Sequence, residues 1–233
     1  SINTMLTTAD TPIDPYNPLG LPPFTIRIRW ANADTPSVKQ TSMTLVDAEQ
    51  HIWDVTYENS NWTKFFTSSD LIEVLGANTT DVTDMSYMFR NCSNITSVPL
   101  FDTSKVTNMM DMFVRCHALT SLPLFDTSKV TNMTDTFGGC SNLTSVPLFN
   151  TASVTSMSYM FDGCSNLTSV PLFNTASVIS MNYTFNSCYN VESGALALYQ
   201  QASTQSTPPQ THTCAFYDCG RDTTTGAAEL AQI

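Results

Sequence analysis

Residues 140–164 read CSNLTSVPLFNTASVTSMSYMFDGC, and close copies of this stretch precede and follow it along the chain. The cysteines of these copies lie 24 residues apart without a slip, at Cys92, Cys116, Cys140, Cys164 and Cys188. A phenylalanine lies three positions before each cysteine, and an aliphatic residue lies three positions after it. A fixed period between about 20 and 50 residues is typical of proteins built from stacked repeats. The period therefore predicts an elongated molecule made of 24-residue coils.

Each coil combines two kinds of apolar spacing. Val146 and Leu148 alternate as in a strand, whereas the steps from Val154 through Met157 and Phe161 to Cys164 have the period of a helix or 3₁₀ turn. We therefore predict an α/β solenoid in which every coil contributes a short parallel strand and a short helix or 3₁₀ turn. The proline between the two aliphatic residues donates no backbone hydrogen bond, so we expect these strands to be short and imperfect.

The segments before the coils predict an arm and a cap. Residues 1–23 hold five of the twelve prolines and predict an extended arm or linker. Residues 24–64 predict a β-rich N-terminal cap, because 24–30, 43–46 and 52–57 read as strands. All three tryptophans fall within this cap, as expected of a segment that seals the apolar end of a stack.

The solenoid is predicted to span residues 65–191, beginning with a degenerate coil near Phe65 that has Ser68 in place of the cysteine. Residues 192–233 predict an irregular last coil and a C-terminal cap. Phe216 and Cys219 repeat the Phe-x-x-Cys unit, but 31 residues after Phe185 rather than 24. We predict short helices around 195–202 and around 226–233.

Charge and motifs exclude several classes of function. The net charge of −11, from 20 acidic and 9 basic residues, argues against nucleic-acid partners and against anionic lipid surfaces. No stretch reaches the roughly 18 apolar residues of a membrane span, so no membrane insertion is expected. The sequence has no nucleophile elbow, phosphate-binding loop or carboxylate pair. We therefore predict that the chain is not an enzyme and has no cofactor.

The cysteines are predicted to be structural. The five at the regular spacing lie in apolar surroundings and are expected to be buried as small hydrophobic side chains. His212, Cys214 and Cys219 offer three potential zinc ligands at an unsuitable spacing and without a fourth, so no metal site is predicted. The redox state of Cys214 and Cys219 stays open, a local disulfide being one alternative. A second recurring position carries Asp102, Asp126, Asn150 and Asn174, which we expect to make turns, with calcium binding as the alternative.

The strand face is the surface best suited to recognition, because its outward positions are uncharged and nearly identical from coil to coil. The weak candidates for binding residues there are Ser97, Pro99, Ser121, Pro123, Ser145, Pro147, Ser169 and Pro171. The leucine after each proline is expected to point inward. The phenylalanine that follows it is expected to enter the core rather than to form an exposed aromatic stripe.

The repeating unit C-x-N-L-T-S-V-P-L-F-D-T-S-x-V-T-N-M-x-x-M-F-x-x-C, over about 65–219, resembles the BspA-type leucine-rich repeat of bacterial surface proteins. This repeat also occurs in mycoplasma lipoproteins and in phage-encoded proteins. The resemblance implies a leucine-rich-repeat fold, an extracellular position on the bacterial cell surface and adhesion to host or matrix proteins, and it supplies no catalytic residues.

We therefore predict a non-enzymatic extracellular module for recognition or adhesion, with a protein or glycan partner. The alternative is a structural component of an assembly, such as a phage virion decoration, a fibre or a surface-layer protein. In that case the alternative location is the phage virion, and the partners are copies of the chain or other subunits of the assembly.

Overall fold

The computed structural model describes residues 12–38, 41–63 and 65–233. In these residues the regular secondary structure is one open, four-stranded antiparallel sheet and two short helices. The strands are β1 (Thr25–Trp30), β2 (Thr41–Asp47), β3 (Ile52–Tyr57) and β4 (Leu71–Ala77), and the helices are α1 (Ala195–Thr204) and α2 (Thr224–Leu230). The strand order is β2-β3-β1-β4.

The sheet confirms the three strands that were predicted near the N-terminus and adds a fourth. Strand β1 pairs with β3 on one side and with β4 on the other. Ile26 and Ile28 of β1 are fully buried, and Tyr57 of β3 meets the ring of Phe65 edge to face at a centroid distance of 5.3 Å. The sheet thus closes the N-terminal end of the repeats. Its strand β4 comes from residues that were predicted to form the first coil.

The prediction of an α/β solenoid with a strand and a helix in every coil is wrong. The chain from 78 to 191 is described throughout, and it forms turns and isolated bridges without a helix or a strand. Left-handed residues recur in each repeat, for example Tyr159 at φ 59° and Gly163 at φ 72°, and a right-handed helix cannot pass through them. The proline of each repeat removes a backbone donor from the segment that was expected to be a strand.

Successive repeats stack directly on one another through backbone hydrogen bonds. The N–H groups of Tyr159 and Phe161 donate to the carbonyls of Asn182 and Thr184, which lie in the next repeat, at 2.8 and 2.9 Å. Between these bonds, shorter turn bonds such as Met160 N–H to the Met157 carbonyl (3.1 Å) close each bend. The 24-residue spacing of the sequence is therefore met by overlapping turns rather than by strands and helices.

Two columns of phenylalanine fill the interior. The rings of the Phe-x-x-Cys units stack with centroid separations of 5.2–5.8 Å along Phe89, Phe113, Phe137, Phe161, Phe185 and Phe216. The second column contains Phe101, Phe125, Phe149 and Phe173, all of them buried. This burial confirms that the phenylalanine after each leucine enters the core.

The C-terminal segment contains both predicted helices. Helix α1 is inserted between the repeat that ends at Val191 and the last layer at residues 211–219. The extra residues before Phe216 are thus accommodated by the helix, and the phenylalanine column continues to Phe216, 5.7 Å from Phe185.

Candidate interaction surface

The predicted binding residues recur at equivalent positions of the stacked repeats and therefore form two parallel rows. Ser97, Ser121 and Ser145 are exposed, and Ser169 is half-buried. Pro99, Pro123, Pro147 and Pro171 are all half-buried. Their role in binding stays a prediction.

The most exposed apolar groups of this surface are the leucines that follow the prolines. Leu124 and Leu148 are each 60% exposed and Leu172 is 53% exposed, so the prediction that they point inward is wrong for these three. Leu100, at the equivalent position of an earlier repeat, is half-buried and packs against the core. We call Leu124, Leu148 and Leu172 the leucine row.

A tight bend explains why leucine is outside and phenylalanine inside. The N–H of Phe125 donates to the Pro123 carbonyl at 3.0 Å, and Phe149 and Phe173 make the equivalent bonds at 2.9 Å. A bond between residues two apart reverses the chain at the residue between them, here the leucine. The strand-like alternation assumed from the sequence therefore fails at this point. The Pro-Leu-Phe triplet was the signal that could have revealed the bend.

One residue from the N-terminal segment lies beside the leucine row. Tyr16 lines a shallow depression of about 380 Å³ together with Leu124 and Leu148, and Asp126 and Asn150 form its polar rim. The depression thus brings one aromatic ring, one acidic turn residue and one amide turn residue close to Leu124 and Leu148.

The Asp/Asn position makes turns, as predicted. The side-chain Oδ1 atom of each residue accepts the backbone N–H two residues further on, at 2.9–3.1 Å, in Asp102, Asp126, Asn150 and Asn174. In Asp126 the hydrogen bonds from Ser128 lower the pKa of the carboxyl group. These bonds hold the rim of the leucine row in one conformation in every repeat.

The regularly spaced cysteines are buried, as predicted. From Cys116 onward each thiol donates to the phenylalanine carbonyl of the preceding repeat at 3.1–3.2 Å, in Cys116, Cys140, Cys164 and Cys188. Burial raises the pKa of the Cys92 thiol to about 12 and also raises those of the other four, so none of them is a nucleophile at neutral pH. Cys214 is exposed, Cys219 is buried, and both are free thiols.

Three carboxylates gather on the turns of neighbouring repeats. Asp111 lies 3.0 Å from the guanidinium of Arg90, and Asp162 accepts a hydrogen bond from Asn186 at 2.7 Å. Asp135 lies between them, and burial, followed by the charges of Asp111 and Asp162, raises its pKa to about 7. Among the described residues no group of three or more His, Cys, Asp or Glu side chains is placed to hold a metal ion.

Within the described ranges no helix is long and apolar enough to cross a membrane. The molecule is thus a stack of turn-built repeats, closed by a sheet at one end and bearing an exposed aliphatic row on its side.

A family model described as "Mycoplasma protein of unknown function, DUF285" matches residues 59–146, and it matches again over residues 83–199. The two matches together cover more than half of the chain, and the chain belongs to this family. No curated protein matches the chain.

Proposed function

We propose that this chain is a non-enzymatic recognition module of a cell surface that binds a protein partner through the leucine row. The observation that carries the proposal is the outward position of Leu124, Leu148 and Leu172, each more than half exposed at the same point of three successive repeats. A contiguous exposed apolar patch on a folded chain is typical of an interaction site.

The leucine row suits a protein partner better than a glycan because its side chains offer apolar area and no hydrogen bonds. Complete burial of a leucine contributes about 1.5–3 kcal/mol, so burying the exposed parts of these three side chains, each a little over half of the leucine, contributes about 2.5–5 kcal/mol to binding. The bends that present them are held by the Phe N–H bonds and by the Asp/Asn turns. A surface that is rigid before binding loses little conformational entropy when the partner arrives.

The resemblance of the repeats to the BspA-type surface proteins supports an adhesive role outside the cell. The family itself is described only as Mycoplasma proteins of unknown function. Extracellular adhesion is accordingly part of the proposal, and its direct test is binding to intact cells.

The test compares fluorescently labelled variants for binding to cultured animal cells by flow cytometry. The triple variant Leu124→Ser, Leu148→Ser, Leu172→Ser is expected to bind at least tenfold more weakly than the unmodified chain. The matched control is Val46→Ser, Ile72→Ser, Ile179→Ser, which removes three other exposed aliphatic side chains and is expected to bind normally. Surface substitutions change stability by about 0.5 kcal/mol each, so the three changes in either variant together cost at most about 1.5 kcal/mol, and both variants are expected to fold. Equal binding by the two triple variants, or no binding by the unmodified chain, would refute the proposal.

A structural role in a larger assembly is the second candidate. The observation that favours it is the layer at residues 211–219, whose outer face no further repeat covers within the described part of the chain. Sedimentation velocity of the purified chain separates the candidates, because an assembly subunit is expected to form concentration-dependent oligomers and a recognition module is expected to stay monomeric.

A further inference from the structure

In the turn segment before each cysteine, such as residues 157–163, the backbone N–H groups that bond to another repeat all donate to the repeat that follows, whereas bonds elsewhere, such as Thr155 N–H to the Thr131 carbonyl at 2.8 Å, run the other way. In each layer, alternate N–H groups donate to the repeat that follows, whereas the carbonyls between them accept from the repeat that precedes. Ser158 O, for example, accepts from Asp135 N–H at 2.8 Å, and Tyr159 N–H donates to Asn182 O at 2.8 Å. In this turn segment each layer therefore has a donor face toward the C-terminal end of the stack and an acceptor face toward the N-terminal end.

The layer at residues 211–219 repeats this conformation, and no further layer follows it among the residues that the structure describes. Cys214 and Asp218 are left-handed, at φ 50° and 58°, like Tyr183 and Ser187 at 57° and 59° one layer earlier. The turn bonds recur as well, such as Ala215 N–H to the His212 carbonyl at 3.1 Å. The donor face of this layer therefore points toward the C-terminal end of the stack, as it does in every preceding layer.

The donors of that face have no partners among the described residues. In the preceding layer, Met181, Tyr183, Phe185 and Ser187 donate to Thr211, Thr213, Ala215 and Tyr217. The equivalent N–H groups of the last layer belong to His212, Cys214, Phe216 and Asp218, and none of them donates to any group in the part of the chain that the structure describes. We call these four groups the donor row.

A cavity lies against the donor row. It has a volume of about 510 Å³, and His212, Cys214 and Phe216 form part of its lining. Its other walls are mostly apolar and come from α1, from the Pro208–Pro209 turn and from the C-terminal end, including Tyr199, Leu230 and Ile233. The space where a further layer would lie is thus partly enclosed, apolar on its walls and lined with backbone donors on one side.

We propose that this end of the stack binds a peptide segment of another protein, which adds one further layer by offering a line of carbonyl oxygens to the donor row. Every other donor row in the stack is paired in this way with peptide carbonyls from alternate residues of the next repeat. The apolar walls match the methionine and phenylalanine side chains that such a layer carries inward. This site does not depend on the leucine row.

Two other occupants fit less well. An anion would be repelled electrostatically at this end of the stack. Asp218 and Asp222 flank Arg221, Glu229 lies on α2, and the whole chain carries a net charge of −11. A second copy stacked end to end would have to present its N-terminal layer, but the sheet covers that layer, with Phe65 buried against Tyr57. A segment from a different molecule has neither obstacle.

The test uses nuclear magnetic resonance of the ¹⁵N-labelled chain with a synthetic peptide as the probe. The peptide copies residues 156–167 with alanine in place of Cys164, because its carbonyls at Ser156, Ser158 and Met160 pair with a donor row within the stack. We expect the amide signals of His212, Cys214 and Phe216 to shift and to exchange with solvent at least tenfold more slowly. A peptide of the same composition in scrambled order is expected to leave them unchanged.

A pair of surface variants locates the site. Ser203 is exposed and lines the cavity, so Ser203→Trp is expected to weaken peptide binding at least tenfold by filling the space. Ser206→Trp, at an exposed position outside the lining, is expected to have no effect. Equal binding by both variants, or protection of the same amides by inorganic phosphate alone, would overturn the proposal. So would protection that grows with chain concentration in the absence of the peptide, since it would assign the donor row to a second copy.

Discussion

Asp135 shows how stacking identical positions changes the properties of a single side chain. Its carboxylate lies over Gly138, where any Cβ would collide with it, and it has Asp111 and Asp162 on either side. Arg90 and Arg115 lower its pKa but do not offset burial and the two like charges, so the pKa stays near 7. In a stack, a carboxylate that does not destabilise a single repeat lowers the stability of the whole chain when the neighbouring repeats place further carboxylates next to it.

The raised pKa of Asp135 predicts a pH-dependent stability. The folded chain binds this proton more tightly than the unfolded chain, whose carboxyl pKa is near 3.8, so stability is full below about pH 4 and is lost as the pH rises to about 7. We expect Asp135→Asn to be more stable than the unmodified chain at pH 8 by about 1 kcal/mol, a figure reduced for partial exposure to solvent, and to be equally stable at pH 4.

Urea denaturation at pH 4, 6 and 8 measures this difference. Asp126→Asn is the control, because Asp126 has a lowered pKa and the next two repeats already carry Asn150 and Asn174 at its position. A gain for Asp126→Asn at pH 8 as large as that for Asp135→Asn would contradict the explanation.

At the scale of elements, strands and helices outside the repeats were predictable because the local sequence signals agreed. The secondary structure within the repeats was not predictable, although their period was. Strands β1 and β3 were found by their alternation, and α1 by a run of good helix formers. The repeats have a helical spacing of apolar residues, but left-handed residues at Tyr159 and at Gly163 prevent a helix. Sequence periodicity reports which side chains are buried and does not distinguish a helix from a chain of overlapping turns that buries the same positions. The leucine row was missed for the same reason.

Helix α1 shows that one helix can depend on the other. Its N-cap residue is Gly194, which has no side chain to accept a hydrogen bond, and the carboxylate of Glu229 in α2 accepts hydrogen bonds from the N–H groups of Gly194 at 3.4 Å and Leu196 at 3.1 Å. We expect Glu229→Ala to destabilise the chain by about 1 kcal/mol, because both the cap and the favourable charge at the helix start are lost.

Glu192→Ala is the matched control for this change, since Glu192 is exposed and its hydrogen bond to the Thr168 carbonyl is made by the backbone N–H. Thermal unfolding of the two variants gives the comparison, and hydrogen exchange of the amides of α1 shows where the loss occurs. If both variants lose the same stability, or if α1 stays protected in Glu229→Ala, Glu229 does not cap the helix.

At the scale of the whole molecule, the stack is nearly one-dimensional. Hydrogen bonds and ring contacts join each repeat to the repeats directly before and after it, as in Phe137 with Phe113 and Phe161. The sheet at one end and the helices at the other interrupt this order and give the molecule two different ends. Both interaction sites that we propose follow from the stacking, one from equivalent side chains aligned along the stack and one from the layer at which it stops.

This organisation predicts that one whole repeat can be removed without loss of the fold. Deleting residues 140–163 brings Cys164 to the place of Cys140, so the cysteine and phenylalanine columns stay in register. Stability in such stacks is approximately a sum over repeats and their interfaces. We therefore expect a single unfolding transition in calorimetry, with an enthalpy of unfolding lower by about 17 kcal/mol, at about 0.7 kcal/mol per residue.

Deleting residues 140–151 is the control. It removes half a period and places polar residues in the cysteine and phenylalanine columns, so that variant is expected not to fold. If both deletion variants fold equally well, or if neither folds, the prediction that an in-register deletion keeps the fold is contradicted.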